Sequence, residues 1–331
     1  MPKHVLVVGA TGAMGQYLVP KLSELGYDID AIALDEPRQS FPNVTYHKAN
    51  FKDKAVRDAF LAKHYDGIVD FMTYVTAEIA TELPLLAAST DHYIFLSSCR
   101  VFANEEVPIK ESSPRLLDVS KDADLLASDD YCMYKARGEN VLRGLDRRSW
   151  TIVRPSTTFS FMRYQLVTLE APDCVGRAFR GKKVVLPVQA YDVPSSMTWG
   201  GDVASMLARI LFNERTLGED YNVTSSEAHP WSKVAEYYHE ICGLEAVWVD
   251  KEDYLNILEP NPSLGKRWQL EYARLFNRTY DNAKLLEATG LRQDEFKTLF
   301  DGLSYEVSRC PKDYPFPNND RMDKYLAEHN L

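Results

Sequence analysis

Short apolar, β-branched runs alternate with stretches of helical apolar spacing along the first half of the chain. The segments GQYLVPKLSEL, KAVRDAFLAKH and TAEIATELPLLAAS have the helical spacing, and each comes after one of the apolar runs. Because these runs are apolar on both faces, the alternation predicts an α/β fold with a parallel sheet covered by helices on both sides. The predicted strands are residues 4–8, 29–34, 44–47, 68–72 and 93–98.

The second half of the chain has a more mixed pattern. Residues 150–155, 181–187 and 220–225 have the composition of strands, and residues 200–213 have helical spacing with two glycines at the start. A helix-rich tail follows residue 226. The segment EPNPSLG interrupts this tail, and the loop-like segment CPKDYPFPNND follows its helical part.

These patterns predict two units. Residues 1–155 plus about 196–225 would form a doubly wound sheet domain, because the late strand and helix have the pattern of the first half. Residues of about 156–195 plus 226–331 would form a smaller, mostly helical C-terminal lobe.

The composition describes an ordinary globular protein with an acidic surface. Hydrophobic residues make up 45% of the 331 residues, and the formal net charge is −10. Such a charge disfavours binding to nucleic acid or to an anionic membrane. No apolar stretch is long enough to span a bilayer, so we expect a cytoplasmic protein without membrane association. The five cysteines are scattered, and we therefore expect neither a disulfide framework nor a metal site.

The segment VVGATGAMG places three glycines between the first predicted strand and the first predicted helix. Gly9, Gly12 and Gly15 would permit a tight turn, close approach to a pyrophosphate, and close packing of helix on strand. The N–H groups and dipole at the helix start favour bound phosphate. The spacing is GxxGxxG rather than the commoner GxGxxG, but its place between strand and helix predicts a Rossmann-type dinucleotide site.

Asp35 stands at the end of the second predicted strand, twenty residues after Gly15. A carboxylate at this place accepts hydrogen bonds from the adenosine ribose hydroxyls and repels a 2′-phosphate. NAD is therefore favoured over NADP as the cofactor, and the nearby Arg38 would weaken that preference.

Tyr131 and Lys135 lie four residues apart at the start of a predicted helix, where residues i and i+4 share a face. A free tyrosine has a pKa of about 10 and is a poor base at neutral pH. An ammonium beside it, or the positive nicotinamide of an oxidised cofactor, favours the phenolate. A serine at the tip of the strand ending SSCRVF can orient a substrate oxygen. These groups suit removal of a proton from an alcohol while hydride leaves its carbon.

In its order of glycine loop, serine-tipped strand and Tyr-x3-Lys, the sequence resembles the extended short-chain dehydrogenase/reductases. Within them it is similar to the NAD-dependent epimerase/dehydratase group, which acts mainly on nucleotide sugars. The likeness covers nearly the whole chain and includes IVRP, MTWGGDVASML, YNVTS and YDNAKLLEATG. The resemblance implies a catalytic trio of Ser98, Tyr131 and Lys135.

The resemblance also implies where NAD touches the chain. Asn50 and Phe51 stand where the family usually carries an acidic and an aliphatic residue against the adenine. Bulkier residues replace the family's small ones after the fourth strand. The residues expected to bind NAD are Gly9, Thr11, Gly12, Ala13, Met14, Gly15, Asp35, Asn50, Phe51, Phe71, Met72, Thr73, Tyr131, Lys135 and Pro155.

The two positions after Ser98 bear on the type of reaction. Family members that eliminate water from a sugar carry an Asp-Glu pair where this chain has Cys99 and Arg100, so a 4,6-dehydratase is not expected. Members that epimerise at C3 and C5 have Ser-Ser-Cys and a partner histidine, but no histidine occurs here between His92 and His229. Cys99 is therefore either an acid/base group or a packed thiol, and packing is favoured.

The sequence thus predicts an NAD-dependent epimerase-type enzyme whose small-molecule substrate is a nucleoside-diphosphate sugar. Thr157, Arg163 and Arg278 are the expected substrate contacts, and Arg267 and Arg274 are further candidates for binding a diphosphate. Thr157 replaces the family's usual asparagine, which keeps open a reductase of a non-sugar carbonyl. A non-catalytic dinucleotide-binding or RNA-associated relative is a third interpretation. The resemblance also implies a homodimer.

Overall fold

The computed structural model describes residues 2–331, and seven strands form one parallel sheet at its centre. The strands of the chain are β1 (His4–Val8), β2 (Asp28–Ala33), β3 (Val44–Lys48), β4 (Tyr65–Asp70), β5 (Thr90–Leu96), β6 (Trp150–Pro155), β7 (Thr157–Phe159), β8 (Val184–Pro187), β9 (Pro194–Ser195), β10 (Met197–Trp199), β11 (Glu219–Val223), β12 (His229–Pro230) and β13 (Ala246–Val249).

The sheet has the strand order β11-β6-β5-β4-β1-β2-β3. Each neighbouring pair is parallel, and Val5 of β1 lies between Ile29 of β2 and Gly67 of β4. The strand order reverses between β1 and β4. In an open parallel sheet the crevice at that point, outside the carboxyl ends of the strands, is where ligands bind.

Helices cover both faces of the sheet and build most of the remaining chain. They are α1 (Gly15–Glu24), α2 (Lys54–Leu61), α3 (Thr76–Ala88), α4 (Leu116–Val119), α5 (Ala123–Ala127), α6 (Tyr131–Arg143), α7 (Val175–Ala178), α8 (Gly200–Ile210), α9 (Trp231–Cys242), α10 (Lys251–Leu258), α11 (Leu264–Gln269), α12 (Ala283–Thr289), α13 (Leu299–Ser308) and α14 (Asp320–Glu328). Among residues 2–331, no helix has the length and apolar character needed to cross a membrane.

Alternate residues of β1 enter two different hydrophobic clusters. Val5 and Val7 pack with residues of α1 and α8, whereas Leu6 and Val8 pack on the opposite face with residues of α3. Burial of both faces explains why the strands have continuous apolar runs rather than alternating ones. The predicted α/β class with a Rossmann-type, doubly wound parallel sheet is confirmed.

The largest hydrophobic cluster lies outside the sheet. It joins Phe159 and Tyr164, which follow β6, to Trp231 and Tyr238 of α9 and Leu303 of α13. This core is the one expected for a lobe built from residues 156–195 and the tail. The exact division of the chain into two units stays a prediction.

Several element ends differ from the predicted ones. Strand β5 ends at Leu96, so Ser97 and Ser98 lie beyond it, and Ser98 caps a 3₁₀ turn over Cys99–Val101. Helix α8 ends at Ile210 rather than at residue 213, because Phe212 has a left-handed backbone with φ of 64°. Only the second difference involves apolar residues, since Leu211 and Phe212 continue the apolar composition of α8.

Candidate active site

A cavity of about 660 Å³ runs along the carboxyl ends of the central strands. It extends from the glycine loop after β1 to a segment around Arg278 in the second half of the chain. All residues predicted to bind NAD line it except Lys135, and so do Ser98 and Cys99. The predicted substrate contacts Thr157, Arg163 and Arg278 line its other end.

The glycine loop leaves no room for side chains. Gly9 has a φ of 80°, and its N–H donates to Ile32 O at 2.9 Å. A Cβ atom on Gly15 would lie 2.5 Å from Gly9 O and 2.6 Å from Ala10 O. No side chain caps the start of α1, whose cap residue is Met14. The loop therefore fits the pyrophosphate of a dinucleotide, held by backbone N–H groups at a helix N-terminus.

Asp35 is exposed two residues beyond the end of β2, at the side of the same cavity. The Arg38 guanidinium lies elsewhere, since its Nη1 donates to Gln16 Oε1 at 3.3 Å and it lies 4.1 Å from the centre of the Phe161 ring. The Asp35 carboxylate is therefore open to ribose hydroxyls, as the preference for NAD requires.

The floor of the groove follows β3 and β4. Phe71 packs so closely on the loop that a Cβ on Gly9 would lie 3.1 Å from the Phe71 Cβ. Phe51 is buried, while the Asn50 side chain accepts the Lys52 N–H at 3.1 Å within a turn. The groove thus has apolar walls and few polar groups, as dinucleotide sites usually do.

The two serines after β5 have different partners. The Ser97 hydroxyl is buried and donates to Glu139 Oε1 at 2.5 Å. The Ser98 hydroxyl accepts the Arg100 N–H at 3.1 Å and lines the cavity. Ser98 is thus the one of the pair that a ligand can reach.

The Cys99 thiol is 1% exposed and donates to Arg154 O at 3.1 Å. Burial raises its pKa to about 12. A thiol with this pKa holds its proton at neutral pH and is a poor acid/base group. The geometry therefore favours the packed role.

Tyr131 opens α6, which is capped by the Asp130 carboxylate. Burial raises the pKa of Tyr131, and the neighbouring Ser98 hydroxyl, Arg163 and Arg100 act in the opposite direction. In the ligand-free chain, burial thus outweighs the cations nearby. The sequence argument considered Lys135 and the positive nicotinamide and did not include the cost of burying the phenol.

Lys135 lies beneath the cavity rather than in its wall. Its Nζ donates to Leu96 O at 2.5 Å and to Met72 O at 3.3 Å, and lies 5.8 Å from the centre of the Tyr131 ring. Burial lowers the pKa of Lys135 to about 8, although Asp70 and Glu139 raise it. The lysine is thus close to Tyr131 but bound by carbonyl oxygens on the strand ends.

Four arginines line the substrate end of the cavity, and we call them the cavity arginines. Arg274 donates to Val167 O and to Thr157 Oγ1, both at 2.7 Å, and burial lowers its pKa to about 10. Arg278 donates only to backbone carbonyls. The cavity arginines are Arg100, Arg163, Arg274 and Arg278.

Sequence reasoning did not assign Arg100, Gln165, Glu170 or Tyr280 to the substrate end, and all four line it. No pattern marks the last three in the sequence. Arg267, by contrast, pairs with Glu252 at 2.6 Å and does not line the cavity.

A second group of charges lies behind the serines, and we call it the strand-end ion network. Arg154 is fully buried, and its guanidinium contacts Glu139 through two atoms at 2.7 and 2.8 Å and Asp220 at 2.8 Å. Arg115, Arg143 and Lys284 complete the network around the same two carboxylates. Arg154 is therefore a structural residue that ties β6 to α6 and β11.

Fold and site together define a dinucleotide-binding α/β protein with a Ser-Tyr-Lys group at the edge of its cofactor groove. Residues 5–224 match the sequence model of the NAD dependent epimerase/dehydratase family. The chain therefore belongs to this NAD-dependent family of enzymes, and the predictions of the family and of NAD are confirmed. No curated protein matches the chain.

Solved structures with the same fold include three enzymes of low sequence identity. UDP-N-acetylglucosamine 4-epimerase from Methanobrevibacter ruminantium, in complex with UDP-N-acetylmuramic acid, has a TM-score of 0.68 at 16% identity, over 93% of this chain and 97% of its own. The NAD complex of UDP-glucose 4-epimerase from Thermus thermophilus has a TM-score of 0.65 at 19% identity, over 92% of this chain and 98% of its own. dTDP-glucose 4,6-dehydratase from Bacillus anthracis, in complex with NAD, has a TM-score of 0.68 at 16% identity, over 92% of this chain and 96% of its own.

Proposed function

We propose that the protein is an epimerase-type oxidoreductase that acts on a nucleoside-diphosphate sugar, with Tyr131 as the base. One observation carries this proposal. Tyr131 and Ser98 line the cavity that contains both the glycine-loop groove and the cavity arginines. A hydroxyl group of a bound sugar can therefore meet a proton acceptor beside the cofactor groove, while anionic groups of the substrate meet guanidinium groups.

When bound, NAD supplies the hydride acceptor. Ser98 Oγ hydrogen-bonds the reacting oxygen and orients it toward Tyr131. Tyr131 removes the hydroxyl proton and returns it when the keto group is reduced again. Lys135, fixed by Leu96 O and Met72 O, contributes positive charge that favours the Tyr131 phenolate. Arg100 and Arg163 add to that effect.

Elimination of water is not part of the proposal. That reaction needs an acid/base pair beside the catalytic hydroxyl. Here Cys99 is buried with a pKa of about 12, and Arg100 forms an ion pair with Asp130 at 3.0 Å. The Cys99 thiol therefore keeps its proton at neutral pH, and the Arg100 guanidinium is engaged by the Asp130 carboxylate.

The choice of substrate is supported by the solved structures. Two of the three are named as 4-epimerases of UDP sugars, and one of these has UDP-N-acetylmuramic acid bound. The cavity arginines are the groups in this chain that would hold a diphosphate, by paired N–H donors. A homodimer, a cytoplasmic location and a substrate lobe of about residues 156–195 plus 226–331 stay predictions.

The test is turnover by a tyrosine variant against a matched control. Tyr131→Phe, loaded with NAD and mixed with UDP-, GDP- and dTDP-sugars, should lose epimerisation and transient NADH fluorescence by at least about a hundredfold. Tyr134→Phe is the control, because its ring lies 5.5 Å from Tyr131 on the same helix but does not line the cavity. Full turnover by Tyr131→Phe would refute the mechanism.

A second candidate function is reduction of a non-sugar carbonyl. The observation that favours it is the Thr157 hydroxyl, which lines the cavity but already accepts a hydrogen bond from Arg274 at 2.7 Å. Mass spectrometry of the purified native protein separates the two candidates. A retained nucleoside diphosphate or its sugar supports the epimerase, and reduction of simple ketones by NADH without any bound nucleotide supports the reductase.

A further inference from the structure

Asp70 is a buried acid that the proposed mechanism does not use. It is the last residue of β4 and is 1% exposed. Its carboxylate accepts three hydrogen bonds at 2.9 Å, from the Met72 N–H and from the hydroxyls of Tyr74 and Tyr93. These donors favour the carboxylate over the acid, but none of them is a cation, so they do not balance its charge.

Lys135 approaches Asp70 through a shared neighbour. The Met72 N–H donates to Asp70, and the Met72 carbonyl accepts the Lys135 Nζ at 3.3 Å. The register of the sheet brings the same two side chains together, because Asp70 pairs with Phe95 of β5 and the Lys135 Nζ lies 5.1 Å from the centre of the Phe95 ring. An acid and an amine thus lie at the carboxyl ends of two neighbouring strands, beneath the cavity.

Each of these two charges is left unbalanced by its direct contacts. Burial raises the pKa of Asp70 and lowers that of Lys135, and each group opposes the change in the other. Glu139 also acts on Lys135, but its carboxylate is already bound by Arg154 at 2.7 and 2.8 Å. Within residues 2–331, Asp70 has no cation among its hydrogen-bond partners. Its charge is therefore available to the enclosed ammonium group, which would otherwise tend to lose its proton.

We propose that Asp70 is a positioning residue whose negative charge keeps Lys135 protonated, so that the ammonium group can support the Tyr131 phenolate. This inference rests on the proposed function, because the charge of Lys135 matters to the reaction only if Tyr131 is the base. Asp70 does not line the cavity, so it touches neither substrate nor cofactor. Its hydrogen bond to Met72 also fixes the residue whose carbonyl binds the ammonium.

The test measures the pKa of Lys135 directly, by carbon-13 NMR of labelled lysine side chains in the NAD-free protein, with Lys135→Met to assign the signal. Asp70→Asn keeps an acceptor for the Met72 N–H but removes the charge, and should lower the pKa of Lys135 by at least about 1. Asp30→Asn is the matched control and should leave that pKa unchanged. Asp30 is also a buried carboxylate, but it is bound by Tyr65 at the opposite end of β4.

A reciprocal measurement covers the case in which Asp70→Asn does not fold. In Lys135→Met, the pKa of Asp70, followed by its carboxyl carbon signal, should rise by a similar amount, because the coupling of two titrating groups acts on both. Turnover provides a further measurement. Asp70→Asn should move the alkaline limb of the kcat/KM profile to lower pH, whereas a merely structural role would lower the rate at every pH.

Each outcome decides one of the two proposals. A Lys135 pKa that is unchanged in Asp70→Asn overturns the positioning role, even if the protein epimerises nucleotide sugars. An Asp70 pKa that is unchanged in Lys135→Met, or an equal drop of the Lys135 pKa in Asp30→Asn, overturns it as well. The expected pKa changes together with full turnover by Tyr131→Phe would keep the link between the two charges and refute the proposed function.

Discussion

Ser97 and Ser98 are adjacent, yet they lie beside two groups of arginines that differ in whether carboxylates balance their charge. In the strand-end ion network behind Ser97, each arginine contacts Glu139 or Asp220. In the cavity beyond Ser98, only Arg100 of the four arginines has a carboxylate partner. An arginine paired with a carboxylate can be buried without a ligand, so the strand-end ion network can stabilise the fold by itself. Unbalanced charge at a cavity is a structural cost that binding would recover.

The largest effect that tests this comparison is expected from a substitution at Glu139. Replacing Glu139 with glutamine should lower the free energy of unfolding by about 3–5 kcal/mol, because Arg154 is fully buried and would keep only Asp220. Urea denaturation followed by circular dichroism measures the change.

The matched control for this variant removes both charges. In Glu139→Leu combined with Arg154→Met, the loss should be clearly smaller than in the single variant, because no buried charge is left alone. If Glu139→Gln lost less than about 1 kcal/mol, the network would not hold the strand ends together, and the contrast between the two groups would fail.

Lys135 is a further cation that is held by carbonyl oxygens rather than by a carboxylate. The pH dependence of protein stability tests whether its charge is unbalanced in this way. Its pKa of about 8 in the folded protein lies below its ordinary value of 10.5, so the folded protein loses this proton first as pH rises. The contribution of Lys135 to the free energy of unfolding should therefore increase by about 2 kcal/mol between about pH 7.5 and 9.5. The cysteines, whose pKa values are raised by burial, change stability in the opposite direction over this interval, so the increase is measured as the difference between the wild type and a variant without Lys135.

The control for that pH dependence is Lys135→Met, which should be more stable than the wild type at pH 7 and should not show the increase. Denaturation curves at a series of pH values for both proteins give the answer. A stability difference between the two proteins that stays constant over this interval would show that Lys135 is solvated or paired in solution.

The sequence predicts the cofactor half of the site better than the substrate half, for a physical reason. The glycine loop and Asp35 depend on local geometry between one strand and one helix, which the spacing of a few residues determines. The substrate end is assembled from distant segments. Arg267 and Arg274 are seven residues apart and would share a face of a regular helix. A π-turn over Leu270–Arg274 breaks that register, so one faces Glu252 and the other the cavity.

The depth to which a side chain is buried is the other property that the spacing of residues in the sequence does not predict. The spacing of four positions from Tyr131 to Lys135 correctly predicts that they are close, and the ring centre and Nζ are 5.8 Å apart. The direction of the Tyr131 pKa depends instead on how deeply the phenol is enclosed and on Arg100 and Arg163, which come from other elements. Ser97 is a similar case, since its partner Glu139 is visible only once α6 packs behind β5.

Arg274 tests the cavity side of the comparison directly. Arg274→Gln should raise the free energy of unfolding of the ligand-free protein by up to about 1 kcal/mol, because it removes a half-buried charge that has no carboxylate partner while keeping an amide donor for Val167 O or Thr157. Urea denaturation detects the change. A loss of several kcal/mol, like that at Glu139, would mean that both groups of arginines are structural.

The smallest effect on stability is expected from a substitution at Arg163, which should instead change the pKa of Tyr131. Arg163 is exposed and forms no ion pair within residues 2–331, so Arg163→Gln should change the free energy of unfolding by less than about 0.5 kcal/mol. Because Arg163 lowers the pKa of the Tyr131 phenol, the same variant should move that pKa upward. NMR titration of tyrosine-labelled protein, with Tyr131→Phe to assign the signal, measures the shift. A Tyr131 pKa that stays unchanged would place Arg163 away from the base.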